Sequence, residues 1–306
     1  MGIKGLNRFL RNTCSTHIRQ VPLWELKGKT IAIDTSIYLY KFNGDGSELI
    51  DGFYHMISLF KFNGIIPLFV FDGKPPIEKY KIIERRRKNK SIAEYKYNQI
   101  KETTSNYNKN TLTQLRKQFI RVSYKDICNV KKLISLMGVN YYECKGESDG
   151  ICVKLVETKV AYACMSEDMD MFVYGCNRVL RYLSLLKSTV VLYDFKGILE
   201  TLNITFNEFQ DICIISGTDY HEQMGDDIMN LNDALILFRK YKGYKKSDSY
   251  RNWLVKEGYI KDADAFTRVG NMFNTTIKEY PPKLIKNEYD TLGTRDFLEK
   301  NRFVFI

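Results

Sequence analysis

Seven carboxylates on five short segments are the residues of this 306-residue chain whose types and spacing could do chemistry. They are Asp34 in IAIDTS, Asp72 in LFVFDGKPP, Glu147 and Asp149 in KGESDG, Asp168 and Asp170 in MSEDMDMF, and Asp219 in ISGTDY. Each stands where an apolar strand or helix pattern ends. An aspartate at the carboxyl end of a strand in an α/β sheet points into the crevice where ligands bind, so several such strands focus negative charge on one place. Crowded carboxylates cannot all stay ionised without a countercharge, and hard divalent cations with oxygen ligands supply it. A single aspartate at a strand end more commonly caps a helix or forms a turn. The repetition of the pattern is what points to a metal site.

The chain as a whole is basic, with 47 Lys and Arg against 36 Asp and Glu and a net charge of +11. Lys74 to Lys101 holds ten basic and three acidic residues, a net +7 that begins two positions after Asp72. Basic side chains that hold a phosphate backbone beside an acidic metal cluster suit an enzyme acting on phosphodiesters. Seven scattered cysteines with no CxxC pair argue against a disulfide framework and a zinc site. His17, His55 and His221 form no cluster. No run reaches the roughly 20 apolar residues of a membrane span, and MGIKGLNRFL lacks a signal-peptide apolar region, so a soluble intracellular protein is expected.

The elements that must position the acids follow from periodicity. Residues 29–34 and 65–71 are short, continuous apolar runs that read as buried parallel strands, with a helical pattern over 48–62 between them. Pro75-Pro76 marks a turn, and a basic helical excursion without a strong apolar face is expected from 73 to about 122. A helix over 124–137, a strand over 139–142, a helix over 148–157 and a strand over 160–165 follow. Residues 179–194 predict an antiparallel hairpin around Lys187-Ser188 at a sheet edge, with helices beyond it. The expected fold class is α/β: a mostly parallel central sheet with helices on both faces, an inserted helical arch and a C-terminal helical region. Residues 1–225 would form the core and 226–306 helices packed on it.

The start MGIKGL, then IAIDTSIYLYKF, FVFDGKPP, the ESD pair, SEDMDMFVYG and SGTDY stand in a familiar order and spacing. Over residues 1 to about 225 the chain resembles the flap endonuclease and XPG family of structure-specific 5′ nucleases. The resemblance implies the PIN-like 5′ nuclease fold and Mg²⁺-dependent hydrolysis of DNA at flaps or ends, in replication, repair or recombination. Asp34, Asp72, Glu147, Asp149, Asp168, Asp170 and Asp219 fall on the family's metal-site acids. They would hold two Mg²⁺, with Mn²⁺ able to substitute, one ion activating water and the other stabilising the leaving oxygen. The family usually carries Glu where this chain has Asp149, which leaves direct and water-mediated binding both open.

Lys79 and Arg86 match the two basic residues that the family brings to the scissile phosphate from the arch base. Tyr40 matches a base-stacking tyrosine, and Gly2 a glycine at the substrate junction. Lys74 and Arg85 lie beside these as expected DNA contacts. After Asp219 the family has a Gly-rich hairpin that holds duplex phosphates. Here YHEQMGDDIMNLN carries one glycine and the extra acids Asp226 and Asp227, read as a helix start with no metal role. The duplex contact is then either altered or displaced to RKYKGYKKSDSYR at 239–251, with Lys240, Lys245 and Lys246. FLEKNRFVFI lacks the glutamine-anchored clamp motif, so clamp binding is not inferred; the expected partner is DNA, and a monomer is expected. The Lys, Asn, Ile and Tyr bias would suit an AT-rich genome such as that of a large DNA virus; the expected location is the nucleus or, if the protein is viral, a cytoplasmic replication site. A 5′-3′ exonuclease without a flap requirement and a non-catalytic DNA-binding scaffold are the alternative readings.

Overall fold

The computed structural model describes residues 2–44, 49–103, 109–220, 224–225, 227–244, 248–274 and 288–305. Seven strands form one sheet: β1 (Ile18–Pro22), β2 (Thr30–Asp34), β3 (Ile66–Phe71), β4 (Asn140–Glu143), β5 (Ala163–Met165), β6 (Arg178–Ser184) and β7 (Thr189–Asp194). Their spatial order is β1-β7-β6-β5-β2-β3-β4. From β6 to β4 all neighbours run parallel, while β7 is antiparallel to both β6 and β1. The mostly parallel sheet is as expected.

Helices α1 (Leu6–Thr13), α2 (Thr35–Gly44) and α3 (Leu49–Phe62) precede β3. The arch contains α4 (Tyr80–Thr103) and α5 (Lys109–Gln118), and α6 (Tyr124–Leu136) returns the chain to the sheet. Next come α7 (Ser148–Glu157), the short α8 (Asp170–Val173), α9 (Phe195–Leu202) and α10 (Phe206–Ile215). The last are α11 (Leu231–Gly243), α12 (Tyr250–Lys256), α13 (Ala263–Met272) and α14 (Thr291–Lys300). No helix among the described residues is long and apolar enough to cross a membrane.

Alternation along the central strands divides the core into two layers, because successive side chains leave opposite faces. Ala32, Leu68, Val70 and Cys164 enter one layer with α1, α7 and α10. Ile31, Ile33, Phe69, Phe71, Ala163 and Met165 enter the other with α2, α3 and α6. With both faces covered, these strands read as the unbroken apolar runs seen in the sequence. The C-terminal helices divide between the faces: α11, α12 and α13 lie against α10, and α14 against α6.

Three expectations change. The hairpin is not the sheet edge, since β1 pairs with β7 in the register Ile18 to Tyr193. IRQVP carries too little apolar alternation to stand out, and Pro22, without an N–H, suits an edge strand. The strand expected over 160–165 shortens to Ala163–Met165. The helix start expected at Asp226 and Asp227 is instead at Asn230, whose side chain accepts from the Asp233 N–H. Asp226 lies outside the described residues. Asp227 is buried and accepts from the backbone N–H groups of Lys261 and Asp262, both at 2.9 Å, so its charge ties the α11 approach to the start of α13.

Candidate metal-dependent active site

The parallel register β3-β2-β5 aligns the carboxyl ends of three strands on one rim. Asp34 is the last residue of β2, Asp72 follows β3, and Asp168 follows β5 through a turn that opens α8 at Asp170. Glu147 is the N-cap residue of α7 and Asp149 lies in its first turn, where the helix dipole favours negative charge. Asp219 comes off the end of α10 through Gly217, whose φ of 92° suits glycine.

The loop after Asp72 is tied to the approach to Glu147. Gly73 N–H donates to Gly146 O at 2.7 Å, and Lys74 N–H to Lys145 O at 2.9 Å. A Cβ on Gly73 would stand 2.1 Å from Cys144 O, so the glycine of FDGKPP is required by two backbones in close approach.

Three serines that sequence reasoning passed over join the acids. Ser148 N–H donates to Asp72 Oδ1 at 2.7 Å, and the Ser36 hydroxyl donates to Asp72 Oδ2. Asp34 accepts from Ser166 Oγ at 2.9 Å and Ser148 Oγ at 3.3 Å. Asp170 N–H in turn donates to Asp168 Oδ1 at 3.1 Å. The signal was in plain view, since a serine sits within two positions of an acid in DTS, ESD and SED.

Burial, then the neighbouring Asp72 charge, raise the Asp34 carboxyl to about 7. Burial followed by Asp34 raises Asp149, and burial followed by Asp168 raises Asp170. Asp170 Oδ1 is buried with no hydrogen-bond partner. An all-carboxylate donor set of this kind, under-compensated and partly orphaned, fits a hard divalent cation. Among the described residues, however, no three such side chains already converge as a metal cage.

Two arch cations take part of the compensating role. Lys79 ends the turn Ile77–Lys79 and is buried, with Nζ 2.6 Å from Glu147 Oε1 and 4.0 Å from Asp219 Oδ2. Arg86, on α4, donates to Asp219 Oδ2 at 2.8 Å. Burial works against the Lys79 charge, but Glu147, Tyr220 and Asp149 together outweigh it and raise the ammonium pKa. Tyr220 completes the group, donating to Glu147 Oε2 at 2.8 Å.

The other expected contacts are spread more widely. Gly2 has φ 79°, and a Cβ there would lie 2.5 Å from Asp170 Oδ1 and 2.6 Å from Asp168 Oδ1, so the acids themselves demand a glycine. Tyr40 is exposed on α2, with Lys90 Nζ 4.5 Å from its ring centre. Lys74 and Arg85 are exposed. Lys245 and Lys246 lie outside the described residues. Lys240 donates to the Tyr259 hydroxyl at 2.8 Å, and Lys242 pairs with Glu208 at 2.9 Å. Arg251, included in the basic 239–251 stretch, instead enters a pair with the buried Asp211 at 2.6 Å. Tyr250 in that stretch is core, stacked on Trp253, because it lies on the apolar side of α12.

The XPG N-terminal domain family model matches residues 1–93, and the XPG I-region model matches 138–219. Together they contain all seven acids and leave the outer arch between them. A flap endonuclease 1 from Entamoeba histolytica is 31% identical over 284 residues, which is 84% of this chain and 74% of that relative. Flap endonuclease 1 from Glossina morsitans morsitans is 32% identical over 72% of this chain, which spans 61% of the relative. Among solved structures, flap endonuclease-1 from Methanococcus jannaschii has a TM-score of 0.60 at 25% identity, covering 93% of this chain and 90% of its own. The catalytic core of Rad2 in complex with DNA substrate has a TM-score of 0.70 at 19% identity, covering 98% and 95%. Acid order, sheet topology and these matches agree: the chain belongs to the flap endonuclease and XPG family.

Proposed function

We propose that the protein is a divalent-metal-dependent, structure-specific 5′ nuclease that hydrolyses DNA phosphodiesters at flaps or ends. The observation that carries this reading is the meeting of Lys79 and Arg86, from a basic helical insertion, with Glu147 and Asp219 on the acidic rim of the sheet. Such a junction supports the reading, since it joins basic side chains able to bind phosphate to carboxylates able to hold metal.

Asp34, Asp72, Glu147, Asp149, Asp168, Asp170 and Asp219 are the residues that would hold Mg²⁺ or Mn²⁺. When bound, such ions supply Lewis acidity toward a phosphoryl oxygen and lower the pKa of water. The protein's own groups do the rest. Ser36, Ser148 and Ser166 orient the carboxylates of Asp72 and Asp34. Lys79 presents a point charge and Arg86 a planar fork able to bind two phosphate oxygens, and both favour charge developing on the transferred phosphoryl group. Tyr40 offers an exposed aromatic face for a terminal base. DNA is held by its phosphates, so sequence selectivity is slight. In this reading residues 1–225, with the arch at 73–122, are the nuclease core, and 226–306 steady duplex DNA beside it.

Incision of a matched 5′ flap near its junction in Mg²⁺, lost in Asp168→Ala, is the expected result. No cleavage of flap, blunt-duplex or single-stranded DNA, or equal cleavage by Asp168→Ala, would overturn the reading. The altered segment after Asp219 favours a second possibility, a 5′-3′ exonuclease, and release of single nucleotides from blunt duplex would select it.

A further inference from the structure

We infer that Arg181 is a positioning residue for the metal-site acids Asp168 and Asp170, an inference that rests on the metal-dependent reading above. Strand pairing brings it there: β5 and β6 run parallel with Met165 opposite Leu180, and Ser166 N–H donates to Leu180 O at 3.2 Å. The turn that leaves β5 carrying the acids therefore passes beside the residue after Leu180. Arg181 is 5% exposed, and its guanidinium grips that turn at several points. One terminal nitrogen donates to Glu167 O at 2.8 Å, and the other donates to Asn7 Oδ1 at 2.7 Å and rests on the Met169 sulfur. Nε lies 3.7 Å from Glu167 Oε2 and is buried without a hydrogen-bond partner. Glu167 and Met169 flank Asp168, and Met169 precedes Asp170, so the clamp spans the acid pair.

The backbone of β6 is deformed at the same place. Its register with β7 shifts between Arg181 and Ser184, and Tyr182 has a φ of 55°, uncommon for an aromatic residue. That conformation lets Tyr182 N–H donate to Glu167 Oε1 at 2.6 Å, while its hydroxyl accepts from Asn7 Nδ2 at 2.8 Å. Asn7 also accepts from the Tyr193 hydroxyl at 2.8 Å, which anchors the clamp to α1 and β7. Backbone strain held by surrounding contacts is a feature of functional sites. Here it serves a fork that fixes a turn, and only a guanidinium has donors spaced to reach all the acceptors at once.

The test measures Mn²⁺ affinity by calorimetry on DNA-free protein, together with kcat and KM for flap DNA and the melting temperature. Arg181→Met should weaken Mn²⁺ binding by about 10- to 100-fold, the range for groups that orient ligands, and lower kcat with little change in KM. Arg181→Lys should recover melting temperature but not Mn²⁺ affinity, whereas a merely structural charge would recover both. Asn7→Ala, on a partly exposed residue, should shift Mn²⁺ affinity the same way by a smaller factor, and it serves if Arg181→Met fails to fold. Arg295→Met, an exposed arginine on α14, is the control. Unchanged Mn²⁺ affinity in the folded Arg181 or Asn7 variant overturns the clamp, even if wild-type protein cleaves DNA. Weakened Mn²⁺ binding in protein that cleaves no DNA would retire the nuclease and keep the clamp.

Discussion

Lys79 Nζ sits 2.6 Å from Glu147 Oε1, with the lysine only 8% exposed, so the base of the basic arch is locked to the first acid of α7. Removing the amine leaves a carboxylate without its cation and takes a positive charge from the proposed phosphate site. Lys79→Met and Arg86→Ala should each lower kcat by about 10²- to 10³-fold, as loss of one transition-state donor does, with smaller changes in KM. Single-turnover cleavage with saturating enzyme checks this. A change confined to KM would make the residue a binding contact alone.

Asp34, Asp149 and Asp170 all have folded-state carboxyl pKa values above their ordinary range, Asp34 at about 7. A carboxyl of this kind takes up a proton on folding, so its stabilisation is complete below about pH 4 and is lost as pH rises through about 7. Metal-free protein should therefore melt at a lower temperature at pH 8 than at pH 5, and Mg²⁺ should raise the melting temperature more at pH 8. Asp34→Asn should flatten the profile. Melting curves in EDTA and in Mg²⁺ decide it.

Gly73 has no room for a side chain, with Cys144 O and Lys145 O 2.1 and 2.4 Å from where a Cβ would stand. Both obstacles are backbone and cannot swing away. Gly73→Ala should cost about 1–3 kcal/mol of stability, typical of overpacking, and should shift Asp72 enough to lower activity. Urea unfolding with an unchanged slope gives the number.

Tyr40 is exposed beneath Lys90, whose ammonium is drawn to its ring face. If the ring stacks on a terminal base, Tyr40→Ala should weaken DNA binding by about 1–3 kcal/mol per base stacked, and Tyr40→Phe should retain it. Equilibrium binding of flap DNA in Ca²⁺ would show this, and equal affinity of all three proteins would remove the stacking role.

Much of the site was legible in one dimension because its logic is local. An apolar run buried on both faces must end at the rim of the sheet, so Asp34 and Asp72 announce their position by following IAI and LFVF. The basic excess after Asp72 likewise follows from composition, and family motifs set the remaining acids in order. The sequence alone therefore determined the parallel sheet, the acidic rim and the basic insertion.

Only the tertiary structure decided which charges meet. Lys79 reaches Glu147 across 68 positions, Arg86 reaches Asp219 across 133, and Arg181 reaches Asn7 across 174. β1 became the sheet edge because β7 offered it a partner, not because IRQVP has a strong strand pattern of its own. Asp227, read as part of a helix start, and Arg251, in the stretch read as a duplex contact, turned inward to backbone donors and to Asp211. Burial makes an unpaired charge costly, and so the partner of each charge is chosen by the folded surroundings, which spacing along the chain does not encode.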